Sequence, residues 1–252
     1  MLPNRKSLII FVTGGDPDIE TTEKLIPEIA DAGADLIEIG IPFSDPVAEG
    51  PVIQSASERA LKNGAVTDKL LEMTARLRPQ IPIPLVFMTY LNPIYVYGKE
   101  RFLAACRESG ISGLIVPDMP YEEKHELTEV CSKYGVALIS MVAPTSSDRT
   151  AKIAKESKGF LYCVSSLGVT GMRSEIKSDI KTIVAEAKKH TNVPCVIGFG
   201  VSNPEQAKSM AQISDGVIVG SAVVKIIEQY GSDCVRPVKQ FVRSLKEAVN
   251  AS

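Results

Sequence analysis

LIIFVTGGDPDIETTEKLIPEIADAGADLIEIGI, residues 8–41, holds one full repeat of the pattern that decides the fold. Its two ends, Leu8–Val12 and Leu36–Ile41, are short and almost wholly apolar, as strands buried on both faces must be. Between them, Glu20–Ala32 sets Leu25, Ile26, Ile29 and Ala30 on one side at helical spacing, with Pro27 expected to kink or split the helix. Asp16-Pro17 reads as a capping residue ahead of a first-turn proline, and Gly33 falls where a helix gives way to the next strand. The stretch is a strand–helix–strand unit with parallel strands.

The same punctuation continues to the end of the chain. Six more apolar runs follow, Leu85–Met88, Gly113–Val116, Ala137–Val142, Phe160–Val164, Cys195–Ile197 and Gly216–Val219, which makes eight in all. Amphipathic stretches alternate with them, among them Tyr121–Tyr134, Ser147–Glu156, Ile180–Lys189 and Pro204–Ile213, the last opened by an Asn203 cap. No linker or shift of composition divides the chain. Eight such units predict an α/β fold, a (β/α)8 TIM barrel occupying residues 1–252 as a single catalytic domain. A doubly wound open sheet would want a glycine-rich dinucleotide turn after the first strand, and Thr13-Gly14-Gly15-Asp16 does not supply one.

Composition narrows the partners. With 252 residues the chain can bury a large core without disulfide or metal staples, and 28 Lys+Arg against 30 Asp+Glu leave a charge of −2. No basic stripe suits a nucleic-acid backbone, no apolar run suits a membrane, and Leu8–Val12 is too short for a signal-peptide core. The five scattered cysteines (Cys106, Cys131, Cys163, Cys195, Cys234) read as small apolar core residues, and His125 and His190 as solvated. A cytoplasmic location is expected, with no metal.

In such a barrel the chemistry sits where the strands end. Glu38 is a carboxylate inside the apolar strand Leu36–Ile41; it is either paired by a lysine or backbone donors, or it is a catalytic acid/base. Glu49 ends a proline-rich loop just before Gly50-Pro51, placed either to complement a helix dipole or to form an acid/base couple with Glu38. The glycine pairs Gly198/Gly200 and Gly220-Ser221, after the last two strands, suit a phosphate. Ser165–Ser174 suits a lid. No Ser/His/Asp set, Cys/His pair or strand-ending Schiff-base lysine is visible, and Lys225 reads as a solvated helix residue. Acid/base chemistry on a small phosphorylated substrate, without a cofactor, is where these residues lead.

The chain also resembles the tryptophan synthase α subunit family. The resemblance rests on Phe11–Pro17, Glu38-Ile39-Gly40-Ile41-Pro42-Phe43-Ser44-Asp45-Pro46, Gly50–Gln54, Gly168-Val169-Thr170-Gly171, Gly198–Ser202 and Gly220–Lys225, in order along the chain. It implies a barrel that splits indole-3-glycerol phosphate into indole and glyceraldehyde 3-phosphate by a retro-aldol step. It further implies a β-subunit partner in an α2β2 heterotetramer; pyridoxal phosphate belongs to that partner, and this chain carries no cofactor. Carried over residue by residue, Glu38 is the general acid/base and Glu49 the second catalytic carboxylate. Phe11, Tyr90 and Phe199 surround the indole; Thr170, Gly171, Gly200, Gly220 and Ser221 complete the substrate site. Asp45, Pro46, Asn92 and Pro120 face the partner.

Two departures stand out. The family usually has aspartate where Glu49 stands, and a glutamate reaches about one methylene further, when a displacement of order 1 Å can cost ~100-fold in rate. The second is at the start of the chain: only about six residues precede the first strand, where many members carry an extra helix, so a more open barrel bottom is expected. Glu49 leaves a second reading, an activating subunit with little chemistry of its own, and the phosphate cradle a third, a different phosphate-binding barrel isomerase or aldolase.

Overall fold

The computed structural model describes residues 1–144, 147–164, 173–198 and 200–252. Its strands are β1 (Ser7–Thr13), β2 (Leu36–Gly40), β3 (Leu85–Met88), β4 (Gly113–Ile115), β5 (Ala137–Leu138), β6 (Ser140–Val142), β7 (Leu161–Val164), β8 (Cys195–Gly198) and β9 (Gly216–Val219). The helices are α1 (Ile19–Asp31), α2 (Pro51–Lys62), α3 (Thr67–Leu77), α4 (Leu91–Tyr97), α5 (Lys99–Glu108), α6 (His125–Tyr134), α7 (Ser147–Lys155), α8 (Arg173–Ala187), α9 (Pro204–Ala211), α10 (Ser221–Tyr230) and α11 (Val235–Asn250). Every strand pairing is parallel, and the sheet runs β5-β4-β3-β2-β1-β9-β8-β7-β6. Its two end strands, β5 and β6, are separated only by Ile139, so they are halves of one fifth barrel strand and the sheet closes into the expected eight-position barrel.

Alternation along the strands builds two layers of core. Ile9, Leu36, Val86, Ile115, Ile139, Phe160, Val196 and Ile218, one from each barrel position, meet inside the barrel. Their neighbours Leu8, Ile10, Ile37, Ile39 and Val217 face outward against helix residues such as Leu25, Ile29, Leu70, Val238 and Leu245. Each such side chain contributes about 1.5–3 kcal/mol by leaving water. The five cysteines are free and buried, as expected of small apolar residues, and His125, His190 and Lys225 are exposed.

Three expectations are corrected. Pro27 lies inside α1 without splitting it, since buried Leu25, Ile26 and Ile29 hold the helix against the core and outweigh one lost backbone bond. The α1 cap is Asp18, whose Oδ1 accepts from the Thr21 N–H at 2.7 Å; the Asp16–Pro17 peptide before it is cis. Asp16 is instead fully buried and takes a bidentate bond from Arg59 of α2, Nε and Nη2 each at 2.9 Å. The barrel bottom is also less open than expected. Leu2 packs against the interior cluster, and the Met1 thioether lies against Gly113 and Gly159.

Arg59 binds the β1–α1 loop to the helix that follows Glu49. Burial already raises the Asp16 pKa in spite of the guanidinium beside it. Arg59→Ala would leave that carboxyl buried and unpaired, and is expected to cost about 3 kcal/mol in urea unfolding. A loss under about 1 kcal/mol would show that the pair does not hold the loop.

Candidate active site

Parallel register decides what Glu38 meets. On β2 it lies opposite Phe11 of β1 and Val86 of β3, on the face that turns into the barrel, one layer nearer the strand ends than Leu36. The side chain has no exposure, and among the described residues neither carboxylate oxygen has a hydrogen-bond partner. The lysine or backbone partner that a structural role would require is not found among them. Burial, reinforced by repulsion from Glu49, pushes the Glu38 pKa up to about 8. It is a carboxylic acid that stays protonated near neutral pH and has a proton to give.

Glu49 is half-buried at the end of the loop between β2 and α2. Burial raises its pKa, and a hydrogen bond from Tyr90 opposes the rise. The Tyr90 hydroxyl also accepts from the Ala48 N–H at 3.1 Å, while Gln54 Nε2 donates to the Glu49 carbonyl at 2.7 Å. Tyr90 itself is 2% exposed and packs on Phe43, ring centroids 5.4 Å apart. Glu38 and Glu49 are therefore electrostatically coupled, and Glu49 alone has a donor to favour its ionised form.

Small residues make room for aromatic ones at the mouth. A Cβ on Gly40 would lie 2.7 Å from the Phe11 ring, and one on Gly198 would lie 2.4 Å from Tyr162. Phe11 packs with Ile53 and Ala56 of α2 and Val224 of α10. Tyr162, which sequence reasoning passed over, is raised in pKa by burial and by the Glu38 charge, so it belongs to the same site. Its one signal in the sequence is its inward place in the alternating run Leu161-Tyr162-Cys163-Val164. Asp118, on the polar rim segment after β4, caps the start of α4 by accepting from the Leu91 N–H at 3.0 and 3.2 Å, next to Tyr90.

Across the mouth, α10 begins at Gly220 with no side-chain cap, so its first N–H groups are free to meet an anion. Ser221 at its first position is exposed, and a Cβ on Gly220 would crowd Phe11 at 3.2 Å. Gly200 has φ +70 and open space around its Cα. Thr170, Gly171 and Phe199 lie outside the described residues. A cavity of about 260 Å³ opens over the ends of β4 and β6, with Pro117, Ile139 and Met141 in its apolar wall and Lys124 and Arg149 also lining it. Among the described residues, no cluster of His, Cys, Asp or Glu could hold a metal, and no helix is long and apolar enough to cross a membrane.

Asp45, Asn92 and Pro120 are exposed and Pro46 half-exposed, on the connections that follow β2, β3 and β4. The same rim displays Val47 at 79% and Val96 at 80% exposure.

A sequence model described as tryptophan synthase alpha chain matches residues 1–250. The chain belongs to the tryptophan synthase alpha chain family. It is 47% identical over 247 residues to the tryptophan synthase alpha chain of Thermoanaerobacter sp. (strain X514), covering 97% of this chain and 94% of that one. Identity to the alpha chain of Lacticaseibacillus casei is 44% over 248 residues, 98% and 93% of the two chains. Among solved structures, tryptophan synthase subunit alpha from Legionella pneumophila str. Paris superposes with a TM-score of 0.89 at 37% identity, covering 98% and 94%. A chain of the tryptophan synthase complex from Pyrococcus furiosus gives 0.88 at 36%, covering 97% and 99%. Like these tryptophan synthase alpha chains, the present one is a TIM barrel.

Proposed function

We propose that this chain cleaves indole-3-glycerol phosphate to indole and glyceraldehyde 3-phosphate, as the α subunit of a tryptophan synthase. The observation that carries the reading is Glu38, a fully buried, unpaired carboxyl at the mouth with a pKa near 8, facing a barrel rim whose other side ends in an uncapped helix.

The chemistry needs a proton delivered and a proton removed. The Glu38 carboxyl gives its proton to indole C3, which leaves the ring as a cation with its charge on the ring N–H. The ionised Glu49 stabilises that charge. The Glu38 carboxylate then takes the proton of the hydroxyl on the carbon attached to C3. The carbon–carbon bond breaks, its electron pair returns to the ring, the hydroxyl carbon becomes the aldehyde, and Glu38 ends protonated as it began. Phe11, Tyr90 and Phe199 would bound the indole. Gly171, Gly200, Gly220 and Ser221 would hold the phosphate, with Thr170 beside them.

The neighbours that are tryptophan synthase complexes support a β-subunit partner. We place it on the rim of Asp45, Pro46, Asn92 and Pro120, where exposed Val47 and Val96 offer apolar area. An α2β2 assembly, pyridoxal phosphate confined to the β subunit, a cytoplasmic setting and one catalytic domain over 1–252 complete the reading. The purified chain is expected to release indole slowly and the chain with a cognate β subunit much faster. Equal rates would mean a stand-alone lyase, and no indole in either case would remove the catalytic assignment.

A further inference from the structure

Glu49 stands at a position where its length matters, and what fixes it lies in the loop around it. The backbone on both sides of its Cα is pinned: Gln54 Nε2 holds the Glu49 carbonyl at 2.7 Å, and the Tyr90 hydroxyl holds the preceding N–H, that of Ala48, at 3.1 Å. The same hydroxyl still has one proton to donate, and the Glu49 carboxylate is the acceptor beside it whose rise in pKa it opposes. Tyr90 cannot drift. The residue is 2% exposed and packs at a tilt on Phe43, and the next N–H, that of Leu91, is shared between the two Asp118 carboxylate oxygens at 3.0 and 3.2 Å. The phenol is therefore a rigid post rising from the start of α4 into the loop between β2 and α2.

We propose that Tyr90 is the positioning residue of Glu49: its hydroxyl, anchored by the Ala48 N–H, binds the carboxylate and folds back the extra methylene that a glutamate carries. The inference rests on the lyase reading and adds a second role to a residue that the resemblance assigns only to the indole wall. The titratable groups facing Glu49 are Tyr90 from the start of α4 and Glu38 from β2, with Asp118 behind Tyr90. None is a cation, so the phenol is the one group among them that favours the ionised carboxylate. It follows that the loop is adapted to glutamate, and Glu49→Asp is expected to lower turnover about 10-fold or more rather than raise it.

The test is the kcat and KM of indole release by the full chain with its β partner, for Tyr90→Phe in the parent and in a Glu49→Gln background. Tyr90→Phe keeps the ring and removes the hydroxyl. In the parent it is expected to lower kcat by about 10–100-fold with KM changed less than about 3-fold, and to move the ascending limb of the kcat–pH profile to higher pH. In the Glu49→Gln background the further loss should stay under about 3-fold, because the interaction is already gone. Equal losses in both backgrounds, or an unmoved limb, would make Tyr90 a wall of the pocket and nothing more. Glu38→Gln, run alongside, separates the two ideas. If the parent releases no indole, the lyase reading falls; if Glu38→Gln keeps full rate, the assignment of Glu38 falls; if it abolishes turnover while Tyr90→Phe behaves like the parent, only the present inference falls. Should Tyr90→Phe fail to fold, ultraviolet titration of Glu49→Gln decides instead. One of the seven tyrosines should then ionise at lower pH than in the parent, and an unchanged titration overturns the proposal.

Discussion

Glu38→Gln is expected to lower indole release by at least ~10³-fold while leaving the fold and the affinity for phosphate intact. One carboxyl both gives the proton to the ring and takes the proton of the hydroxyl, so the amide removes two acid/base contributions that singly reach ~10²–10⁴-fold. The exchange is close to isosteric in a site where Glu38 has no bonded partner among the described residues to lose, and no paired charge there is stranded by it. Circular dichroism and the binding of glyceraldehyde 3-phosphate should match the parent, which separates lost chemistry from lost structure. Glu38→Asp withdraws the carboxyl by roughly 1 Å and should retain more activity than the amide, yet stay ~100-fold below the parent. Near-parental turnover by Glu38→Gln would end the assignment.

How much of this arrangement can be read in one dimension follows from which contacts are local. All eight barrel strands are legible because a strand covered on both faces must be a continuous apolar run, and Glu38 stands out as the one charge in such a run. The break at Ile139 is not legible, since it lies in the pairing of the fifth strand with its two neighbours and leaves no mark on the apolar pattern. Asp16 reads as a helix cap because its partner, Arg59, is 43 residues away and shows only that Asp18 is free to cap instead. Tyr162 is hidden for the same reason. Its place in the site depends on a glycine, Gly198, across the neighbouring strand, and nothing near residue 162 announces that space. The Glu49 departure is visible in the sequence, but the phenol that answers it, 41 residues on, is brought there by the parallel pairing of β2 with β3.

The unpaired acid also has a thermodynamic signature that no kinetic assay reports. In the unfolded chain Glu38 should ionise near 4.5, whereas in the folded protein it does so near 8. Between those values the native state holds a proton that the unfolded state has released, so stability must fall as pH rises. The contribution is fully favourable below about 4.5 and is lost progressively until pH has passed about 8. The whole span amounts to about 5 kcal/mol, of which about 3 kcal/mol should disappear between pH 6 and pH 9. For a chain of this length that is a fall of roughly 5–10 °C in Tm. The surface carboxylates held low by lysine or arginine, such as Glu23 beside Arg76 and Glu100 beside Lys133, titrate below this window and act in the opposite direction. Glu38→Gln cannot ionise, so its Tm should stay nearly level from pH 6 to 9 and cross above that of the parent as pH rises. The same titration should set the descending limb of turnover near pH 8, when Glu38 loses the proton it must give. Parallel Tm curves for parent and variant would mean that Glu38 is ionised in the folded protein at neutral pH, and the acid that starts the cleavage would have to be sought elsewhere.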